Sequence, residues 1–246
     1  DVCSSDLVSD DLAVAMTNGC YQSLQSMNLY NQRIWSMDIC AGDSEAGGDP
    51  STGTDGVETK EVANFYATPS NNLAVGLWRG GYTGIGNCNT AIQSLSANAD
   101  NISPEILTRS LGEAYFLRAH YYFILVQFFG DVPLVLQPVE PGDNLRPLRT
   151  PKAEVYKQIV SDLTNSINLL PVREQYSGTD IGRASKGSAE GMLAKVELTL
   201  GNYQRVVNLC DSVKNLGYTL NANYADNFNP STENSRESLF EVQYEG

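Results

Sequence analysis

Apolar side chains recur every three to four residues along six stretches of the chain, a spacing that predicts α-helices. The stretches cover residues 9–26, 69–97, 103–129, 150–170, 185–200 and 203–216. Ser9, Ser103 and Thr150 stand where helix N-caps are expected, and Pro104 and Pro151 stand at expected first helical positions. The pattern therefore predicts a mostly α-helical protein.

The second stretch contains four glycines, at positions 80, 81, 84 and 86. Each glycine weakens a helix by about 1 kcal/mol relative to alanine. Small residues on a helix usually mark close approach by a neighbour. We therefore expect this helix to be packed on more than one side.

Three segments depart from the helical spacing. Residues 28–70 are rich in Gly, Asp, Ser and Thr, and are predicted to form a long, partly ordered loop with one helical turn near residues 57–65. Loops of this length are usually functional or disordered. The apolar piece 134–136 is predicted to be extended, and the alternation in 238–244 predicts a β-strand.

The third stretch is unusually aromatic. Glu113 and Arg118 interrupt it, so it does not provide the roughly 20 predominantly apolar residues of a membrane span. Its apolar positions cover most of the helix circumference, which is typical of a buried helix. Buried tyrosine hydroxyls need partners, and Glu113 and Arg118 are predicted to provide them internally. His120 is predicted to be structural rather than a catalytic base.

Composition and charge disfavour two classes of function, nucleic-acid binding and zinc binding. The sequence has 246 residues and a formal net charge of −13, which disfavours nucleic-acid binding because phosphates require clustered cations. Four cysteines lie between residues 20 and 210 with no CxxC spacing and a single histidine in the chain, so no zinc site is expected. Small buried thiols are favoured over disulfides, although one bridge stays open. No cofactor and no metal are predicted.

Residues 1–7 call for separate treatment. Cys3 followed by Ser-Ser-Asp is similar to the start of a mature lipoprotein, but no apolar lipobox precedes it. The heptapeptide also resembles the translation of a sequencing adapter, and we expect it to lie outside the natural chain. The remaining residues, 8–246, are expected to form the N-terminal part of a single domain that is truncated at both ends.

Residues 198–216, "LTLGNYQRVVNLCDSVKNL", match the turn and second helix of a tetratricopeptide repeat. In this pattern Gly201 permits a tight reversal, and Tyr203 is expected to fill the gap between the paired helices. Only one clean copy is present in the sequence. This favours an irregular fold of helix pairs over a regular repeat array.

Residues 113–135, "EAYFLRAHYYFILVQFFGDVPLV", strongly resemble the signature of the SusD/RagB family of nutrient-binding outer-membrane lipoproteins. Three further segments resemble the family in the same order: 78–89 ("WRGGYTGIGNCN"), 184–203 and 237–244. The structural signature positions carried over are Glu113, Phe116, Arg118, Tyr121, Tyr122, Gly130, Asp131 and Pro133. His120 departs from the family pattern, where a tyrosine or small residue is more usual.

The resemblance implies tetratricopeptide-like helix pairs with long irregular loops and minor short strands. It also implies a non-enzymatic protein, lipid-anchored to the outer membrane and facing the cell exterior. Such proteins bind glycans, or peptides in some members, and deliver them to a SusC-like TonB-dependent transporter. The resemblance further implies that the signature helix is scaffold and that loops contact the ligand.

The loop 28–70 holds the candidate ligand residues. Sugars present apolar faces and hydroxyl groups, so aromatic rings combined with carboxylates suit them. The candidates are Trp35, Asp38, Asp43, Glu45, Phe65 and Tyr66. A solvated acidic loop with two buried aromatics is the competing interpretation.

Two other functions are considered. A tetratricopeptide-type adaptor for protein partners would bind no small ligand, and would be expected to show more regular repeats. An all-α glycosidase requires two opposed carboxylates beside the scissile bond, and the sequence singles out no such pair.

Overall fold

The computed structural model describes residues 9–32, 34, 37–42, 44 and 54–244. Within these residues, seven α-helices form the architecture. They are α1 (Asp10–Gln22), α2 (Thr54–Ala63), α3 (Asn72–Ala97), α4 (Pro104–Phe129), α5 (Lys152–Leu169), α6 (Lys186–Thr199) and α7 (Tyr203–Asn215). The six predicted helices are all present, and α2 occupies the predicted helical turn. The mostly α-helical prediction is confirmed.

Helix starts follow from side-chain caps. The Ser9 hydroxyl accepts a hydrogen bond from the Leu12 N–H at 3.4 Å, and the Asn71 side chain accepts from the backbone of Leu73 at 3.0 Å. Each bond satisfies an N–H group that has no partner within its helix. Ser103 precedes α4 without a side-chain cap bond, but Pro104 occupies the predicted position in its first turn.

The start of α5 differs from the prediction. Pro151 is the N-cap rather than the first helical residue. Thr150 instead forms an isolated antiparallel bridge with Val132, and its N–H donates to the Val132 carbonyl at 3.0 Å. The Asp131 carboxylate accepts from the Lys152 N–H at 2.8 Å. Asp131, which lies 21 positions before Lys152 in the sequence, therefore caps α5 in the place where Thr150 was expected to do so.

Helix α4 lies at the centre of the fold. It packs against α1, α3 and α5, and the succession continues from α5 to α6 and from α6 to α7. Many residues of α4 are buried, including Leu117, Tyr121 and Leu125, which are fully inaccessible to solvent. Among the described residues, none of the helices combines the length and hydropathy that a membrane span requires.

The glycines of α3 permit this close packing. A Cβ atom placed on Gly84 would lie 2.4 Å from the Tyr121 ring, and one on Gly81 would lie 2.8 Å from Leu125. On Gly80 it would lie 2.9 Å from Leu29, whereas Gly86 has open space. The expectation of packing on more than one side is confirmed at three of the four glycines.

The predicted β-strand at residues 238–244 is wrong. The segment has no strand pairing, and the described part of the chain contains no strand at all. Its contacts come from side chains instead. The Phe240 ring meets Phe116 edge-on at 5.0 Å, and the Ser188 hydroxyl donates to the Leu239 carbonyl at 2.5 Å. The alternating sequence therefore forms an irregular segment that packs against α4 and α6.

The tetratricopeptide-like turn forms as predicted between α6 and α7, with Gly201 at a φ of 78°. The role expected for Tyr203 is wrong, because its side chain is 69% exposed. Tyr203 is the first residue of α7, which packs on α6 at the end of the helix succession. No described helix covers the other side of α7.

Candidate ligand-binding site

The predicted ligand residues divide into two groups. Trp35, Asp43 and Glu45 lie outside the described residues. Asp38 is exposed at the start of a short 3₁₀-helix. Phe65 and Tyr66 follow α2 directly and are 80% and 59% exposed. The competing interpretation, a solvated loop with two buried aromatics, therefore does not hold for these two residues.

A small apolar cluster lies next to the described ligand candidates in the chain. Ile39, Val62 and Leu73 pack together, separately from the main core. Ile39 follows Asp38 in the chain, Val62 lies in the last turn of α2, and Leu73 lies in the first turn of α3. The cluster therefore fixes the 3₁₀-helix and α2 on the start of α3.

Asn71 reinforces this junction. Its side-chain amide nitrogen donates to the Glu58 carbonyl at 3.0 Å and to the Glu61 carboxylate at 2.8 Å. Its side-chain oxygen caps α3, and the residue is only 3% exposed. One buried amide thus joins two helices, which gives the residues after α2 a fixed base.

The backbone at Phe65 is strained. Its φ of 58° places a bulky residue in the left-handed region, where such residues cost about 1–3 kcal/mol and persist mainly where the surroundings impose them. The Phe65 and Tyr66 N–H groups donate to the Val62 and Glu61 carbonyls, both near 3 Å. The chain therefore holds two adjacent aromatic rings in solvent at a conformational cost.

A cleft opens farther along α3, and we call it the Trp78 cleft. It has a volume of about 610 Å³ and lies between Trp78 and Tyr82 on one side and residues 133–147 on the other. The two rings are 4.9 Å apart, and Phe129 meets Trp78 edge-on at 5.1 Å. Trp78 and Tyr82 lie in the segment 78–89 that resembles the family, but neither was among the ligand candidates identified from the sequence.

The segment 133–137 forms the wall of this cleft without belonging to a sheet. The Tyr122 hydroxyl donates to the Val135 carbonyl and accepts from the Val135 N–H, both at 2.7 Å. The Asn89 amide donates to the Val135 and Gln137 carbonyls at 3.0 and 3.2 Å. The Tyr82 hydroxyl donates to the Pro133 carbonyl at 2.7 Å. Side chains of α3 and α4 thus fix the path of residues 134–136, for which an extended conformation was predicted.

The charged signature residues lie in the core. Arg118 forms a two-bond pair with the Asp162 carboxylate, with both N–O distances 2.8 Å, and also donates to Asn89 at 3.0 Å. Burial lowers the pKa of Arg118, but Asp162 more than offsets this and the pKa is raised. Sequence reasoning missed Asp162, although a carboxylate between the apolar positions Ile159 and Leu163 on the buried face of α5 was a usable signal.

Glu113 is also internal. Its carboxylate contacts Arg183 at 2.9 Å and Arg109 at 3.5 Å, and its side chain is fully buried. Burial raises its pKa, and the two arginines oppose that rise only in part. The arginines link Glu113 to Asp180, which lies 2.6 Å from Arg109. This network joins α4 to the loop before α6.

His120 faces a second cleft, of about 880 Å³, between α4, α6 and the segment 227–244. Its Nε2 atom is 2.8 Å from the Tyr30 hydroxyl. Burial, with Lys195 nearby, lowers the pKa of His120 to about 4. The imidazole is therefore neutral at ordinary pH and bonded to a tyrosine.

The described cysteines are all free, and both Cys20 and Cys88 are buried. Cys210 is exposed, unlike the small buried thiol expected there. Among the described residues, no group of histidine, cysteine or acidic side chains is arranged to hold a metal ion.

Comparison with known proteins identifies the family. Residues 14–198 match a family model, SusD-like, described as starch-binding and associating with the outer membrane. The chain is 31% identical over 244 residues to SusD-like protein P2 of Formosa agariphila, covering 96% of this chain and 46% of that protein. It is 28% identical over 201 residues to a SusD-like protein of Bacteroides ovatus.

Solved structures with the same fold include a laminarin-binding SusD-like protein. It superposes with a TM-score of 0.83 at 28% identity, over 94% of this chain and 50% of that one. The surface glycan-binding protein A of Bacteroides thetaiotaomicron, in complex with laminarihexaose, gives a TM-score of 0.78 at 24% identity, over 96% of this chain and 50% of that one. The chain thus spans about half the length of the relatives it matches.

Proposed function

Since the chain belongs to the SusD-like family, we propose that the whole protein binds glycans at the outer-membrane surface, without catalysis, and delivers them to a SusC-like TonB-dependent transporter. The proposed ligand residues are Trp35, Asp38, Asp43, Glu45, Phe65 and Tyr66. An oligosaccharide is the proposed ligand class, and a peptide is the other class that the family resemblance implies.

One observation in this chain supports the proposal most directly. Phe65 is 80% exposed and its backbone is held at a φ of 58°. Exposure of adjacent aromatic rings at a conformational cost is unfavourable unless something binds them. Aromatic rings with nearby polar groups are the common lining of small-ligand sites. The similarity to a laminarin-binding protein agrees with a saccharide as that ligand.

The positions of two of the buried carboxylates support the proposed absence of catalysis. Asp162 pairs with Arg118, Glu113 pairs with Arg183, and all four are at most 14% exposed in their side chains. Glycoside hydrolysis requires two carboxyl groups that flank an accessible bond. These two carboxylates stabilise helix packing instead.

A protein-interaction adaptor is the second candidate, and one observation favours it. Helix α7 exposes Tyr203 and Val207, which are 69% and 53% accessible. Apolar side chains on one helix suit a protein surface more than a sugar. This face is equally compatible with a transporter contact made by a glycan-binding protein.

An affinity screen of the full-length protein against soluble polysaccharides and peptides tests the proposal. We expect binding of a glycan, unchanged glycan on recovery, and loss of binding in Trp35→Ala, Phe65→Ala and Tyr66→Ala. Tyr203→Ala removes an equally exposed ring on α7 and serves as the matched control. Glycan binding that persists in all three loop variants refutes the proposed ligand site. Turnover of the glycan refutes the non-enzymatic assignment.

The transporter is tested separately by co-purification from outer membranes. We expect a SusC-like protein to be recovered with the full-length protein. Recovery of other proteins, with no glycan bound in the screen, supports the adaptor instead.

A further inference from the structure

We infer that the Trp78 cleft is a second saccharide-binding subsite that takes a neutral oligosaccharide on the Trp78 and Tyr82 rings, with Asn144 and Arg146 as polar contacts. This inference rests on the proposed glycan-binding function. It adds residues that lie outside the loop 28–70. Three features of the cleft support it: its size and aromatic floor, its polar rim and its charge.

The cleft is of ligand size and has an aromatic floor. Its volume of about 610 Å³ falls in the usual range for small-molecule sites, roughly 300–1,000 Å³. Trp78 and Tyr82 are one helical turn apart, with ring centroids 4.9 Å apart and part of each residue accessible. Tyr82 is held by its bond to the Pro133 carbonyl. The floor is therefore rigid before any ligand arrives.

The opposite rim offers polar groups that are not used within the protein. The Asn144 side-chain oxygen accepts from the Arg146 N–H at 3.0 Å, and one Asp143 carboxylate oxygen accepts from the Glu140 N–H at 2.8 Å. These bonds shape the loop. In the described part of the chain, the Asn144 amide nitrogen and the Arg146 guanidinium have no bonded partner. Both groups are suited to sugar hydroxyls.

The charge of the lining selects the ligand class. One carboxylate, Asp143, and one guanidinium, Arg146, are the ionised side chains that line the cleft. They nearly cancel, and the protein as a whole is strongly acidic, with a formal charge of −13. A glycan that carries carboxylates would be repelled over longer distance. A neutral oligosaccharide fits the lining better than a uronic one.

The cleft also lies at the same end of α3 as the exposed aromatic pair. Leu73 belongs to the small cluster that also contains Val62, whose carbonyl accepts from the Phe65 N–H, and Trp78 follows Leu73 by five residues, about 7.5 Å along the helix axis at 1.5 Å per residue. Five residues also turn the helix by about 140°, so a saccharide that contacts both surfaces would have to curve around α3.

The test uses the full-length protein and calorimetric titration with maltohexaose, laminarihexaose and an all-uronic hexasaccharide. We expect a neutral hexamer to bind better than the uronic one, and with little dependence on salt. Asn144→Ala and Arg146→Ala should each weaken that binding about five- to tenfold through lost hydrogen bonds. Both residues lie on an exposed loop, so folding is not at stake. Arg236→Ala removes an exposed arginine outside the cleft and should change the affinity less than twofold.

The outcomes separate this inference from the proposed function. The second subsite is overturned if Phe65→Ala abolishes binding of the neutral hexamer while Asn144→Ala and Arg146→Ala bind it as tightly as the control Arg236→Ala. That outcome leaves the proposed glycan binding intact. Preference for the uronic hexamer also overturns it. If the wild-type protein binds no glycan at all, the proposed function fails first, and the subsite fails with it.

Discussion

Gly84→Ala is predicted to destabilise the protein, although alanine is the better helix former. Its added Cβ would lie 2.4 Å from two ring carbons of Tyr121, and Tyr121 is fully buried. The ring cannot move freely, because its hydroxyl donates to the Cys20 carbonyl at 2.6 Å. The substitution therefore forces α3 and α4 apart or breaks that bond.

The magnitude follows from three contributions. Helix propensity favours alanine by about 1 kcal/mol. Overpacking of a close-packed core costs about 1–3 kcal/mol, and loss of the buried Tyr121 bond costs about 1 kcal/mol more. The net effect is a loss of about 1–3 kcal/mol. Gly86→Ala, two residues along the same helix with nothing within 4 Å of the new Cβ, should instead gain about 1 kcal/mol.

Chemical denaturation followed by circular dichroism measures both variants against the wild type. A second change, Tyr121→Leu, shortens the obstructing side chain and should reduce the cost of Gly84→Ala in a double-mutant cycle. If Gly84→Ala is as stable as Gly86→Ala, the reasoning from close approach is wrong. If Tyr121→Leu leaves the cost unchanged, the wrong contact was identified.

Two further predictions concern buried polar groups. Asp162→Ala leaves the Arg118 guanidinium, whose side chain is 6% exposed, without its carboxylate partner, and should lower the free energy of unfolding by about 3–5 kcal/mol. Lys157→Ala is the control: it breaks an ion pair with Glu154 whose side chains are 72% and 52% exposed, and should cost under about 1 kcal/mol. Similar urea midpoints for the two variants would refute the distinction between buried and exposed pairs. Because burial lowers the pKa of His120 from 6.5 to about 4, the unfolded state binds more protons between those pH values, so stability should fall by about 3 kcal/mol as pH drops through that window. His120→Gln should flatten this fall in thermal melts, and an unchanged pH profile would contradict it.

The helices could be predicted because their signals are local. Ser9, Pro104 and Gly130 act on residues within one turn of themselves, so sequence spacing was sufficient. The strand at 238–244 could not be predicted correctly, because alternation specifies an extended backbone but does not provide a neighbouring strand. The exposure of Tyr203 has the same origin, since its environment depends on what packs over α7.

The candidate site was less predictable than the fold. Phe65 and Tyr66 were identified from residue type, but the positive φ that exposes Phe65 follows from the junction of α2 with α3. The Trp78 cleft depends on residues 78 and 146, which come together only through α4 and the 133–137 segment. Likewise, the partner of Arg118 lies 44 positions away in the sequence. Contacts at that separation depend on tertiary structure.

The side-chain bonds to residues 133–137 have a consequence for how this protein can change over evolutionary time. Tyr82, Asn89 and Tyr122 bond to backbone atoms of the segment. These bonds therefore do not depend on the side chains of the segment. Side-chain substitutions within the segment leave these bonds in place, whereas loss of a donor removes one of them. The loop that follows, residues 138–149, is thus mounted on a base that does not depend on its own sequence. Substitutions in this loop can therefore change the rim of the Trp78 cleft without altering the helices beneath it.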